Sequence, residues 1–134
     1  MTNDDQTIRT GSCLCGAVAY EVRGEMRAVI GCHCRQCQKT SGHFVAATAC
    51  RDDQLVLTRD RGLKWFQSSP EAKRGFCSEC GGNLFYKRLD RDQTSIMTGT
   101  LDHPTGLAMS HHIFVDDKSD YYEITDGLPQ TDSA

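Results

Sequence analysis

Short apolar runs broken by polar residues dominate the chain, and they predict strands. Val18, Tyr20 and Val22 alternate with Ala17, Ala19 and Glu21, the period of two expected of a half-buried strand. Positions 44–50, 54–58, 83–87, 95–98 and 113–115 are further short candidates. Turn-forming residues separate them at Gly42, Asp52-Asp53, Gly62, Gly81-Gly82 and Asp116-Asp117. No segment keeps a 3.6-residue apolar period for long. Helix is therefore expected only as a turn or two, at Arg35–Ser41 and around Ser69-Pro70-Glu71. The first few residues and the tail from Thr131 onward are polar and are predicted to fray. With no linker and no low-complexity stretch, positions 1–134 read as one all-β, mainly β domain with its core over about 8–130.

Composition narrows the classes. The length of 134 residues suits one modest core, and 38% hydrophobic with 25% charged residues excludes a disordered or fibrous chain. A formal charge of −3 argues against a nucleic-acid partner, which calls for a basic excess. No apolar run approaches the ~20 residues of a membrane span, so no membrane partner is expected. The start, Met1-Thr2-Asn3-Asp4-Asp5, lacks the basic-then-apolar order of a signal peptide, which points to the cytoplasm.

The eight cysteines change the picture most. Cys13 and Cys15, then Cys32, Cys34 and Cys37, then Cys77 and Cys80 form three tight groups, and Cys50 stands alone. Clustered thiols without a secretion signal suggest metal or catalysis rather than disulfides. Two groups echo each other. Cys13-Leu14-Cys15-Gly16 leads into positions 17–22, and Cys77-Ser78-Glu79-Cys80-Gly81-Gly82 leads into 83–87. Glycine after the last cysteine tolerates positive φ and lets backbone N–H groups turn toward the sulfurs. Cys32-His33-Cys34-Arg35-Gln36-Cys37 lacks that glycine.

Ligand arithmetic follows. Structural zinc takes four ligands and closes, whereas catalytic zinc usually takes three and keeps a position open. Cys13, Cys15, Cys77 and Cys80 add up to one closed site, and Cys32, Cys34 and Cys37 suit an open one, which calls for two zinc ions. A thioredoxin-like redox pair is disfavoured, since neither Cys-x-x-Cys opens a helix in a βαβ unit. A zinc ribbon pairing Cys34/Cys37 with Cys77/Cys80 would stretch far beyond the usual ~15–20 residues and leave Cys13, Cys15 and Cys32 unexplained. Three thiolates weaken zinc as an activator of water. They suit it instead to hold a fourth sulfur as thiolate, so an incoming small thiol fits better than hydrolytic water. The chemistry expected is sulfur attacking an electrophilic carbon, or the reverse cleavage.

The chain resembles the glutathione-dependent formaldehyde-activating enzyme family, which includes centromere-protein-V-like proteins. The resemblance rests on Gly11-Ser12-Cys13-Leu14-Cys15-Gly16, Cys32-His33-Cys34-Arg35-Gln36-Cys37 and Cys77-Ser78-Glu79-Cys80-Gly81. It continues through Gly99-Thr100-Leu101-Asp102, His112-Ile113-Phe114-Val115 and Asp126-Gly127-Leu128-Pro129. It implies the β-tent, a fold of twisted antiparallel sheets stapled by zinc. It also implies a structural zinc on Cys13, Cys15, Cys77 and Cys80, and a catalytic zinc on Cys32, Cys34 and Cys37. The implied activity is a carbon–sulfur lyase acting on S-(hydroxymethyl)glutathione or a similar small-thiol adduct, with glutathione as the partner molecule. Asp120-Tyr121-Tyr122 departs from relatives that carry a tryptophan before the tyrosine, which bears on pocket shape. The competing reading is a non-catalytic binding module with both metals structural.

Other residues are weighed against these. In an extended stretch His33 points away from Cys32 and Cys34, so it is expected behind the ligands or at the surface. His112, with its neighbour His111, is expected to be buried or hydrogen-bonded. Arg35 and Lys39 would share one face of a short helix and could receive a carboxylate of glutathione, although a solvated basic face is the simpler expectation. Trp65 and Phe66 are expected in the core or at its rim. Cys50 either completes four thiolates at the middle cluster or packs as a small apolar residue.

Overall fold

The computed structural model describes residues 7–134, so the predicted fraying of the first few residues lies outside the described part. Ten strands and one α-helix follow in chain order among the described residues, with short 3-10 turns between some of them. They are β1 (Ile8–Ser12), β2 (Ala19–Arg23), β3 (Val29–Cys32), α1 (Arg35–Ser41), β4 (Val45–Arg51), β5 (Leu55–Arg59), β6 (Leu63–Ser69), β7 (Ala72–Cys77), β8 (Asn83–Arg88), β9 (Gln93–Met97) and β10 (Met109–Ile113). They build a three-stranded sheet in the order β1-β2-β5 and a seven-stranded sheet in the order β10-β3-β4-β9-β8-β7-β6. Pairing is antiparallel throughout except between β10 and β3, which run parallel. A parallel pair needs a long connection, and the whole span from β4 to β9 supplies it.

Both sheets contribute to one core. Tyr20 and Val22 from β2 meet Cys50 of β4, Leu84 and Phe85 of β8 and Ile96 of β9. The Tyr20 and Phe85 rings pack edge to face at 5.5 Å between centroids, and the Tyr20 hydroxyl is satisfied by Thr100 Oγ1 at 2.6 Å. Fully burying a side chain such as Leu84 or Ile96 contributes roughly 1.5–3 kcal/mol. The expected alternation over β2 holds only in part. Ala17 and Ala19 are buried together with Val18, Tyr20 and Val22, because strand and lead-in lie inside the molecule, and only Glu21 keeps partial exposure.

Several expectations fall at the ends of elements. Ser69-Pro70-Glu71 is no helix. Ser69 pairs with Ala72 across a tight turn at Pro70-Glu71, and the Glu71 N–H is satisfied by Ser69 Oγ at 3.2 Å. The strand expected at 113–115 ends at Ile113, since Phe114 adopts a left-handed backbone (φ 55°) that no strand accommodates. Thr131 does not fray: its N–H donates to His112 O at 3.0 Å and its carbonyl accepts from Val115 N–H at 3.0 Å. Among the described residues no helix is long and apolar enough to cross a membrane.

Candidate functional site

Strand ends and tight turns carry the sulfurs. Cys13 and Cys15 lie just past β1, Cys77 closes β7, and Cys80 lies in the turn toward β8, so four thiols from opposite parts of the chain converge. Their Sγ atoms all lie within 4.8 Å of one another, with Cys13–Cys15 and Cys15–Cys77 both at 3.7 Å. A tetrahedral zinc with bonds of about 2.3 Å to sulfur requires S···S edges of about 3.8 Å, so the donor set fits that ion. The glycine expectation holds at both turns: Gly16 and Gly81 each adopt φ 81°. N–H groups then reach the sulfurs, from Val18 to Cys13 Sγ at 3.3 Å and from Glu79 and Cys80 to Cys77 Sγ at 3.4 and 3.5 Å. The backbone N–H groups of Cys15 and Gly82 draw the Cys80 thiol down to about 6. Cys77 and Cys13 belong to the main core, while Cys15 is exposed.

The second cluster is local. Cys32 ends β3, Cys34 caps the N-terminus of α1, and Cys37 lies in its first turn, with all three Sγ atoms within 4.8 Å. The Cys37 N–H donates to Cys34 Sγ at 3.4 Å, so the sulfur takes the place a serine or aspartate usually fills. Gly42 ends the helix in a left-handed conformation, its N–H donating to Gln38 O at 2.8 Å. Hydrogen bonds with Cys32 and then Cys37 hold the Cys34 thiol far below its ordinary value, and hydrogen bonds with Cys34 and then Cys37 push the Cys32 thiol up. The trio thus favours a thiolate at Cys34, the state a metal needs. Among the described residues no fourth His, Cys, Asp or Glu ligand joins it. Cys50 in particular packs in the main core, opposite Thr94 on β9, and does not close this cluster. All eight cysteines are free, as metal ligation requires.

The three thiols open onto a cavity of about 460 Å³. Its wall brings in Arg27, Arg74, Arg88 and Arg91 from widely separated positions, together with Tyr86 and Phe114. Arg35 and Lys39 do not line it, and Arg35 instead donates to Gln38 Oε1 at 2.7 Å on the exposed face of α1. The basic character beside the cluster therefore comes from strands and their loops, not from the helix. Of the four arginines, Arg88 is paired with Asp90 at 3.0 Å, and Arg27 donates to Ala47 O at 2.9 Å.

Behind the trio runs a chain of polar groups. Asp126 Oδ2 accepts from His112 Nε2 at 2.7 Å, His112 Nδ1 meets His33 Nε2 at 2.9 Å, and His33 Nδ1 meets the Tyr122 hydroxyl. His33 is fully buried and stacks on Phe44 at 4.6 Å, so it lies behind the ligands as expected and not at the surface. Burial, with His112 and His43 adding to it, pushes the His33 imidazole down to about 4. His112 is buried and hydrogen-bonded, as expected. Tyr122 thus supports the loop of Cys32 and Cys34 from behind, while Tyr121, which stands where relatives carry the tryptophan, is exposed and meets His43, and neither lines the cavity. Trp65 stacks on Phe85 at 6.0 Å as a rim residue, whereas Phe66 is 60% exposed on the edge strand β6.

Reading the sequence missed the four cavity arginines and the Asp126–His112–His33 chain. The only available signal was negative: an arginine at position 74 interrupts the apolar alternation of a strand next to Gly75-Phe76-Cys77.

The model of the family described as "Glutathione-dependent formaldehyde-activating enzyme" matches residues 8–117. A curated relative from Schizosaccharomyces pombe, named an uncharacterized lyase, is 25% identical over 114 residues, covering 84% of this chain and 82% of that protein. A crystal structure of a Rhodobacter sphaeroides protein superposes with a TM-score of 0.59 at 26% identity, covering 72% of this chain and 91% of the other.

Proposed function

Because the chain belongs to the glutathione-dependent formaldehyde-activating enzyme family, we propose that it is a zinc-dependent carbon–sulfur lyase. Its substrate would be an adduct of glutathione or a similar small thiol, such as S-(hydroxymethyl)glutathione. The observation that carries this reading is the asymmetry of the cysteine clusters. Three thiols form part of the wall of a cavity of small-molecule size, and no fourth ligand stands among the described residues. When zinc is held by Cys32, Cys34 and Cys37 it supplies a Lewis-acid centre with room for a substrate thiolate. Cys13, Cys15, Cys77 and Cys80 would hold a second, structural zinc.

The chain's own groups do the rest. The Cys37 N–H orients Cys34, and the buried His33–Tyr122 contact fixes the loop between Cys32 and Cys34. With Arg88 paired to Asp90, Arg27, Arg74 and Arg91 outweigh the one lining side-chain carboxylate, Glu71, and leave the cavity a positive wall that suits a thiol carrying carboxylates. The reading of a closed, non-catalytic second site loses its proposed fourth ligand, because Cys50 packs elsewhere.

The test is line broadening of the formaldehyde and adduct signals by NMR, with protein carrying two equivalents of zinc. Exchange faster than in protein-free buffer supports the lyase. An unchanged rate with both zinc equivalents present removes formaldehyde as the substrate carbon.

A further inference from the structure

Arg74 stands apart from the other cations of the cavity wall. It reaches the cavity from the middle of β7, where it pairs with Phe66 on one side and Tyr86 on the other, and its guanidinium lies 4.8 Å over the Tyr86 ring. The residue is 7% exposed, and no carboxylate among the described residues pairs with it. Its recorded partners are weak ones, Gln36 Oε1 at 3.3 Å and Cys37 Sγ at 3.9 Å, and both contacts use Nη2. Nε is buried and has no partner at all among the described residues. Withdrawing a guanidinium from water is unfavourable, and the Tyr86 ring and the two Nη2 contacts leave its buried Nε–H without an acceptor among the described residues. Such a group is explained by an acceptor that arrives with the ligand.

We infer that Arg74 is a catalytic residue of the lyase proposed above, and that its Nε–H donates to the oxygen on the carbon that sulfur attacks. The assignment rests on that lyase reading. Sulfur and oxygen share one carbon in the adduct, and the guanidinium already lies against a thiol of the cluster through Nη2. Of the side-on Nε and Nη2 pair only Nε is uncommitted, which suits a single oxygen better than the two oxygens of a carboxylate. In the joining direction, the thiolate lone pair forms the carbon–sulfur bond and the C=O π pair moves onto oxygen. Arg74 stabilises that oxyanion until a proton from solvent gives the hydroxyl. In cleavage the hydroxyl loses its proton to solvent, the oxyanion re-forms C=O, and the bonding pair leaves with sulfur. Arg74 donates a hydrogen bond and transfers no proton in either direction.

The test compares the zinc-loaded wild type with Arg74→Met and Arg74→Lys by NMR exchange, glutathione titration calorimetry and formate titration. Formate serves as a one-carbon oxyanion probe. Removing one preorganised donor should slow exchange by about 10²–10³-fold while the glutathione Kd changes little. Formate should shift the Arg74 Nε–H resonance of the wild type and bind measurably more weakly to both variants. Wild-type turnover in Arg74→Met overturns the assignment, and so does a glutathione Kd that weakens in step with the rate, which would make Arg74 a carboxylate anchor. Should Arg74→Met fail to fold, Arg74→Lys and the wild-type formate shift decide, and an unmoved Nε–H resonance overturns the assignment. If the wild type itself shows no exchange, formaldehyde is removed as the substrate carbon and this assignment falls with it. If the wild type exchanges and the variants match it, only Arg74 is dismissed.

Discussion

The two cysteine clusters use the same ligand chemistry in opposite structural settings. Cys13 and Cys15 join Cys77 and Cys80 across most of the chain, and Cys13 and Cys77 are themselves members of the main core. Cys32, Cys34 and Cys37 lie within one segment, next to the small cluster of Cys37, Val45 and Ala47, and border the cavity. Closing a long loop is what makes a cross-link stabilising, because it removes freedom from the unfolded chain. A metal held by distant ligands therefore mainly supports the fold. One held within six residues adds little to folding, which leaves it available for chemistry.

The largest expected effect is at the distant cluster. Cys77→Ser removes a proposed zinc ligand and a fully buried core atom, and should abolish the cooperative thermal transition, since a domain of this size has only about 5–15 kcal/mol of stability. A melt within a few degrees of the wild type would break the contrast. Cys37→Ser comes next. It should remove one zinc equivalent and all lyase activity while costing less than about 2 kcal/mol of stability, read by metal assay and denaturant titration. A mild chelator should then divide the clusters by rate, taking the local zinc first and abolishing turnover before far-UV circular dichroism changes. Simultaneous loss of both ions would mean that the two sites are equivalent. The smallest effect belongs to Cys50→Ala. It should cost about 1 kcal/mol for the shrunken core side chain and leave the zinc content unchanged. Loss of a zinc equivalent would restore Cys50 as a ligand.

Local signals were readable in the chain. The helix at Arg35–Ser41 forms where a turn or two of helix is expected, and Gly16 and Gly81 adopt the positive φ expected of their turns. Strands β1, β3, β6 and β7 escaped notice, and of β10 only Ile113 was anticipated. Each mixes glycine, arginine, lysine or serine into its apolar pattern, and β6 is an edge strand with most of its residues exposed. Their stability comes from partners rather than from their own residues, and β-propensity depends on such partners.

Cysteine spacing by itself marked three short thiol groups, at Cys13/Cys15, Cys32/Cys34/Cys37 and Cys77/Cys80, because a spacing of a few residues and a turn after the last cysteine are short-range properties. Only the tertiary structure decided what surrounds them. Strand pairing places Arg74 of β7 beside Cys37 of α1, and carries His112 of β10 onto His33 through the parallel β10–β3 pair. It also buries Cys50 in the core, away from the thiols it might have joined. These neighbours lie far apart in the chain, and a period of two along a strand says which way a side chain points but not what it will meet.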